Sequence, residues 1–153
     1  IEKAFEEDYE VLVEEYLEGT ELTCGVIKSG GEEWVFPPTE IVSKNEFFDY
    51  EAKYTKGMAD EITPARISEE LEQRVRQLSS RLYDLFNCRG IVRIDYIYAN
   101  DRLYFMEVNT IPGMSAASIV PQQIEAMVYS LGQIFSLAIE DAITHNQKEG
   151  IRK

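Results

Sequence analysis

The clearest alternation of apolar and polar positions in this chain runs from Ile91 to Tyr98 and resumes from Leu103 to Val108, with the turn formers Asn100 and Asp101 between. That pattern predicts a β-hairpin with one face in the core. A loop of Asn100, Asp101 and Arg102 pairs Tyr98 with Tyr104, Tyr96 with Met106 and Ile94 with Val108 on the apolar face. The same register sets Asp95 opposite Glu107 and Arg93 opposite Asn109 on the other face. Upstream, Ile1 to Asp8 reads as a short helix end, and Tyr9 to Leu17 as a buried strand, β-branched and aromatic in its middle. Glu21 to Lys28 alternates as a further strand, and Ser29, Gly30 and Gly31 turn it back into Trp34, Val35 and Phe36. Pro37 and Pro38 stop that strand because proline brings no ladder donor, and Glu40 to Ser43 forms a short one beyond them.

Glu46 to Gly57 has no clear period and reads as an ordered loop. A helix follows. Ser68 is placed to cap it, Glu69 and Glu70 suit its first turn, and it runs to about Phe86 with Leu71, Val75, Leu78, Leu82 and Leu85 or Phe86 inward. After the hairpin, Ile119 to Met127 predicts a short helix that accepts Pro121 in its first turn. Val128 to Asn146 predicts a longer one, burying Leu131, Ile134, Phe135, Ala138, Ile139 and Ala142, with Lys148 to Lys153 as a flexible tail. The expected architecture is α+β, a mostly antiparallel sheet with helices packed on one face, in one domain portion over 1–147.

Charge narrows the partners. A net charge of −13 over 153 residues argues against nucleic-acid binding through a general basic face. It leaves nucleotides open, since one metal and a few cations can hold a triphosphate in an acidic protein. No run approaches a membrane span and no signal peptide is visible, so the expectation is a cytoplasmic protein with no membrane partner. Cys24 and Cys88 form no metal or redox spacing, and the lone His145 sits near a helix end with no catalytic role expected. The chain starts at Ile1 without an initiator Met and is read as a fragment.

Two carboxylates directly across a hairpin repel each other. On the strand pattern alone, a solvated outer face is the commoner explanation. A bound divalent cation is the other, and hard oxygens from two acids and an amide suit Mg²⁺ or Mn²⁺. The residues after the hairpin favour the cation. Pro112 fixes one φ angle and Gly113 frees another, so backbone N–H groups can turn into a site, with Ser115 and Ser118 beyond.

The ordered set of R-x-D at Arg93 and Asp95, E-x-N at Glu107 and Asn109, and P-G-M-S-x-x-S from Pro112 to Ser118, with E-E-Y-L-E-G-T-E upstream and Y-E-A-K-Y between, resembles the C-terminal half of the D-alanine–D-alanine ligases of the ATP-grasp family. The resemblance runs from about Val11 to about Ala142. It implies ATP-dependent joining of two D-alanines through an acylphosphate, with two Mg²⁺ or Mn²⁺ ions, in a protein that is a homodimer at full length. By that resemblance Asp95 holds one metal, Glu107 bridges both and Asn109 completes the second. Arg93 stabilises the transferred phosphoryl and the tetrahedral intermediate, the Gly113 N–H is an oxyanion donor, and Ser118 binds the carboxylate of the second D-alanine. Glu14, Glu15, Tyr16 and Leu17 would form the adenine site and Glu21 the ribose site. Lys53 would contact phosphate, and Tyr54 favours a dipeptide over an ester product. The family's N-terminal domain and the first part of its central domain are missing here, so this chain alone is expected to lack ligase activity. Ala116 and Ala117 stand where polar residues are common in the family.

Overall fold

The computed structural model of the chain describes residues 1–43 and 59–150. Among them the strands form one antiparallel sheet of β1 (Thr20–Ser29), β2 (Glu32–Val35), β3 (Thr39–Ser43), β4 (Ala59–Ile62), β5 (Val92–Ala99) and β6 (Arg102–Asn109). Its order is β4-β3-β1-β5-β6, with β2 also beside β1. The helices are α1 (Glu2–Phe5), α2 (Glu69–Leu85), α3 (Ile119–Ala126) and α4 (Leu131–Gly150). The expected loop over Glu46 to Gly57, with Lys53 and Tyr54, lies outside the described residues.

β1 is the axis of the sheet because both of its faces are covered. Leu22 through Ile27 are all buried. Leu22, Cys24 and Val26 join Val92, Ile94 and Tyr96 of β5 in a cluster under α2, whose Leu71, Val75 and Tyr83 close it. Ile27, one step out of that alternation, packs with Phe36, Val120, Ile124 and Ile134 under α3 and α4. The helices therefore lie on both faces, where one covered face was expected. The uncharged run from Leu22 to Ile27 is the sign of it, since a strand buried on both sides loses its polar alternation. Each large apolar side chain fully buried this way contributes about 1.5–3 kcal/mol.

β2 and β3 are one strand interrupted by prolines. Val35 pairs with Val26 and Thr39 with Thr23, which leaves Phe36, Pro37 and Pro38 facing only Cys24 and Gly25. The Phe36 N–H still reaches Gly25 O at 2.8 Å, but the prolines have no N–H to give. The backbone polar groups of β1 opposite this break need partners from elsewhere.

The hairpin reaches the expected register at its Arg93 and Asn109 end by a different route. Asn100 and Asp101 alone make the turn, with φ of 50° and 59°, the left-handed pair whose twist matches two antiparallel strands. Tyr98 thus pairs with Leu103, Ile97 with Tyr104 and Tyr96 with Phe105, instead of the expected Tyr98 with Tyr104 and Tyr96 with Met106. A bulge then leaves Met106 without a counterpart and restores Asp95 opposite Glu107, Ile94 opposite Val108 and Arg93 opposite Asn109.

Three other expectations change. Residues 9–17 form no strand, and Tyr9, Leu12, Val13 and Tyr16 are exposed by 66% or more. A strand is made by its neighbour as much as by its own residues; β1 is already paired on both sides, and no described strand pairs with this stretch. In α2, Ser68 caps as expected by accepting from Leu71 N at 3.2 Å, but the buried row is Leu71, Val75, Ser79 and Tyr83. Ser79 can lie inside because its hydroxyl bonds Tyr96 Oη at 2.8 Å, whereas Leu85 and Phe86 are exposed. In α4, only Ile134 of the expected stripe is fully buried; Leu131 and Ala138 are partly covered, and Phe135, Ile139 and Ala142 are exposed. The helix starts at Leu131 because Val128, at φ 64°, breaks it from α3, and it continues through Gly150 where a tail was expected from Lys148.

Candidate active site

Strand parity puts Arg93 and Asp95 of β5, Glu107 and Asn109 of β6, and Glu21 and Thr23 of β1 on the face opposite α2. α3 and α4 cover this face at its Ile27 and Ile91 end. The acidic end is more open: Glu107 is exposed, while Glu21, Arg93, Asp95 and Asn109 are half-buried.

Asp95 is held firmly. Arg93 donates to it twice, Nε to Oδ1 at 2.9 Å and Nη2 to Oδ2 at 2.8 Å, and the Thr23 hydroxyl donates to Oδ1 as well. A carboxylate has about four lone-pair directions, so three bonds leave one, on Oδ2. Burial works against the charge on Arg93, but the Asp95 hydrogen bonds and the charges of Asp95, Glu107 and Glu61 outweigh it and raise its pKa. The guanidinium is a permanent cation on this face.

Asn109 ends β6, and its Oδ1 accepts from Ile111 N at 3.2 Å, which bends the chain away from the strand. One lone pair of that amide oxygen remains. The loop then doubles back on itself. Pro112 is buried; Ser118 N donates to Ser115 O and the two serine hydroxyls share a hydrogen bond, each at 2.8 Å. Any side chain at Gly113 would put its Cβ 2.8 Å from Ser118 Oγ, so glycine allows the close approach of the two residues. Ser118 is also the N-cap of α3, although its side chain makes no capping bond.

The donor set fits a hard divalent ion. Oδ2 of Asp95, the carboxylate of Glu107 across the ladder and the amide oxygen of Asn109 are oxygen donors on one side of one hairpin. Among the described residues no group of three His, Cys, Asp or Glu is placed to hold a metal, so two acids and an amide would need phosphate oxygens or water to complete the shell. Glu14, Glu15, Tyr16 and Leu17 lie on the segment leading into β1, with Leu17 half-buried and the others exposed. The structure brings together Glu21, Arg93, Asp95, Glu107 and Asn109 on one face, and Gly113 with Ser118 in one loop; it does not bring residues 14–17 into the sheet.

Sequence reasoning missed a fully buried polar group beside the site, made of Thr23, Thr39 and Gln123. Gln123 of α3 accepts from Gly25 N at 3.0 Å and donates to Thr23 O at 2.9 Å and Thr39 Oγ1 at 3.0 Å. Its amide replaces the ladder where Pro37 and Pro38 break it. The one warning was a glutamine between Val120 and Ile124 on the apolar side of a short helix.

The fold matches solved structures closely. Over 97% of this chain and 47% of the other, it superposes on the D-alanine–D-alanine ligase of Bacillus anthracis complexed with ATP, at TM-score 0.77 and 33% identity. Over 82% of this chain and 36% of the other, it superposes on the VanG D-Ala:D-Ser ligase of Enterococcus faecalis, at TM-score 0.71 and 33% identity. Sheet and helices have the architecture of an ATP-grasp C-terminal lobe. A curated relative, the D-alanine–D-alanine ligase of Bacteroides fragilis, is 51% identical over 92% of this chain and 44% of its own length; one from Phocaeicola vulgatus is 49% identical over the same shares. The chain belongs to the D-ala D-ala ligase C-terminus family, whose model matches residues 1–140. It spans less than half the length of the curated relatives it matches.

Proposed function

We propose that this chain is the metal and acceptor side of an ATP-dependent ligase that joins two D-alanines into D-alanyl-D-alanine for peptidoglycan precursors in the cytoplasm. The observation that carries this reading is Asp95 directly opposite Glu107 on a half-open face, with Arg93 bonded to Asp95. Such a pair costs stability, a cost that the Arg93 guanidinium, charge-coupled to both acids, offsets in part.

Asp95, through Oδ2, Glu107 and Asn109 would hold two Mg²⁺ or Mn²⁺ ions. When bound, these ions neutralise the β- and γ-phosphate oxygens of ATP, the main requirement of phosphoryl transfer. Arg93 faces the charge that grows as the first D-alanine carboxylate takes the γ-phosphoryl and, later, as the second amine attacks the acylphosphate. The Gly113 N–H is the donor for the oxyanion of that second step. Ser118 orients the second D-alanine by its carboxylate, with Met114 and Ile119 as the wall of that pocket. Glu14, Glu15, Tyr16 and Leu17 take the adenine and Glu21 the ribose, with Lys53 on phosphate and Tyr54 on the acceptor side by family likeness. The longer protein acts as a homodimer.

A second reading keeps the chemistry and changes the acceptor. It is favoured by the likeness to the VanG structure. The full-length protein, assayed for phosphate release with MgATP, is expected to respond to D-alanine alone and to yield D-alanyl-D-alanine. Release that needs D-serine besides D-alanine would establish the second reading, and no stimulation by D-alanine would end both.

A further inference from the structure

We infer that Thr23 is a positioning residue for the Asp95 carboxylate and ties that acid to the helix carrying the acceptor loop. The inference rests on the reading of Asp95 as a metal ligand. Thr23 is fully buried and stands opposite Asp95 in the β1–β5 ladder. A buried strand position of this size suits valine, which needs no partner. A hydroxyl there must be bonded, and this one donates to Asp95 Oδ1.

Arg93 alone would leave the carboxylate free to swing with a long side chain. Thr23, on a strand whose every residue from Leu22 to Ile27 is buried, fixes Oδ1 and so decides that Oδ2 is the oxygen presented to the ion. Side chains that orient a ligand in this way typically matter 10- to 100-fold in metal affinity.

The main chain of Thr23 is fastened in turn. Its carbonyl accepts from Gln123 Nε2 at 2.9 Å, and Gln123 lies five residues into the helix that Ser118 opens. Strand β1 is therefore a common anchor for two parts of the site: Thr23 sets the metal-facing oxygen, and Gln123 sets the helix behind Gly113 and Ser118.

The test is Mn²⁺ binding to the full-length protein, followed by electron paramagnetic resonance with a non-hydrolysable ATP analogue. Thr23→Val keeps the shape and removes the donor; Thr23→Ser keeps the donor. The valine variant should bind Mn²⁺ about 10- to 100-fold more weakly, and serine should restore affinity to within roughly threefold. Where valine does not fold, Thr23→Ala carries the same expectation, and unfolding midpoints identify the folded variants. Mn²⁺ affinity retained in folded Thr23→Val or Thr23→Ala, while Asp95→Asn loses it, would overturn the positioning role and leave the metal reading standing. Affinity retained in Asp95→Asn as well would remove the metal reading and the inference together.

Discussion

Glu107→Gln in the full-length protein should lower kcat by on the order of 10³-fold while leaving the fold intact or slightly more stable. Glutamine keeps the shape of the side chain and one oxygen, and loses the negative charge that two cations would share. Loss of that charge also removes the repulsion from Asp95 directly across the ladder. Opposed like charges in a sheet cost a few tenths to about 1 kcal/mol. Here the gain belongs at the small end of that range, because Arg93 already balances Asp95 through two hydrogen bonds. The combination is diagnostic. Urea or thermal unfolding set beside phosphate release would show activity falling as stability holds or rises, the signature of a residue kept for function at some structural cost. A glutamine variant that keeps its activity, or loses it only by unfolding, contradicts the assignment.

Gly25→Ala should be strongly destabilising, costing about 3 kcal/mol. The new Cβ would lie 2.4 Å from Phe36 Cδ2 and 2.8 Å from Gln123 Oε1. Neither neighbour can yield cheaply. Phe36 is fully buried, and Gln123 is fully buried and committed to Gly25 N, Thr23 O and Thr39 Oγ1. Moving Gln123 would strand backbone groups that the Pro37–Pro38 break has already left without a ladder. For a chain of this size the loss corresponds to a fall in Tm of roughly 6–12 °C. A change under about 2 °C would show that α3 is not locked to β1 as described.

The two positions differ in how legible they are from residues alone. Asp95 against Glu107 follows from alternation, because side-chain parity fixes which residues share a face. Parity does not fix the path. A three-residue loop, and a two-residue turn followed by a bulge at Met106, reach the same pairing at Arg93 and Asn109, yet place Tyr104 and Phe105 on opposite faces from one solution to the other. The Gly25–Gln123 contact is invisible in sequence, since it joins residues 98 positions apart through a break that only two prolines announce.

Burial was misjudged wherever the partner decides it. Residues 9–17 have the composition of a buried strand, but composition describes a surface that suits covering and cannot say what covers it. No described strand pairs with that stretch. In α2 the buried row runs through polar Ser79, whose hydroxyl bonds that of Tyr96, while apolar Leu85 at the helix end stays exposed. The adenine role proposed for Glu14 to Leu17 and the roles proposed for Lys53 and Tyr54 rest on family likeness alone, whereas the proposal for the hairpin acids draws also on their register across the ladder.

The most direct test of the two-metal site is anomalous diffraction from crystals of the full-length protein grown with Mn²⁺ and a non-hydrolysable ATP analogue. Two manganese peaks are expected beside the hairpin, both in contact with Glu107, one also with Asp95 and the other with Asn109, at oxygen distances of about 2 Å. Manganese held elsewhere, or a nucleotide bound with no peak between Asp95 and Glu107, would contradict it.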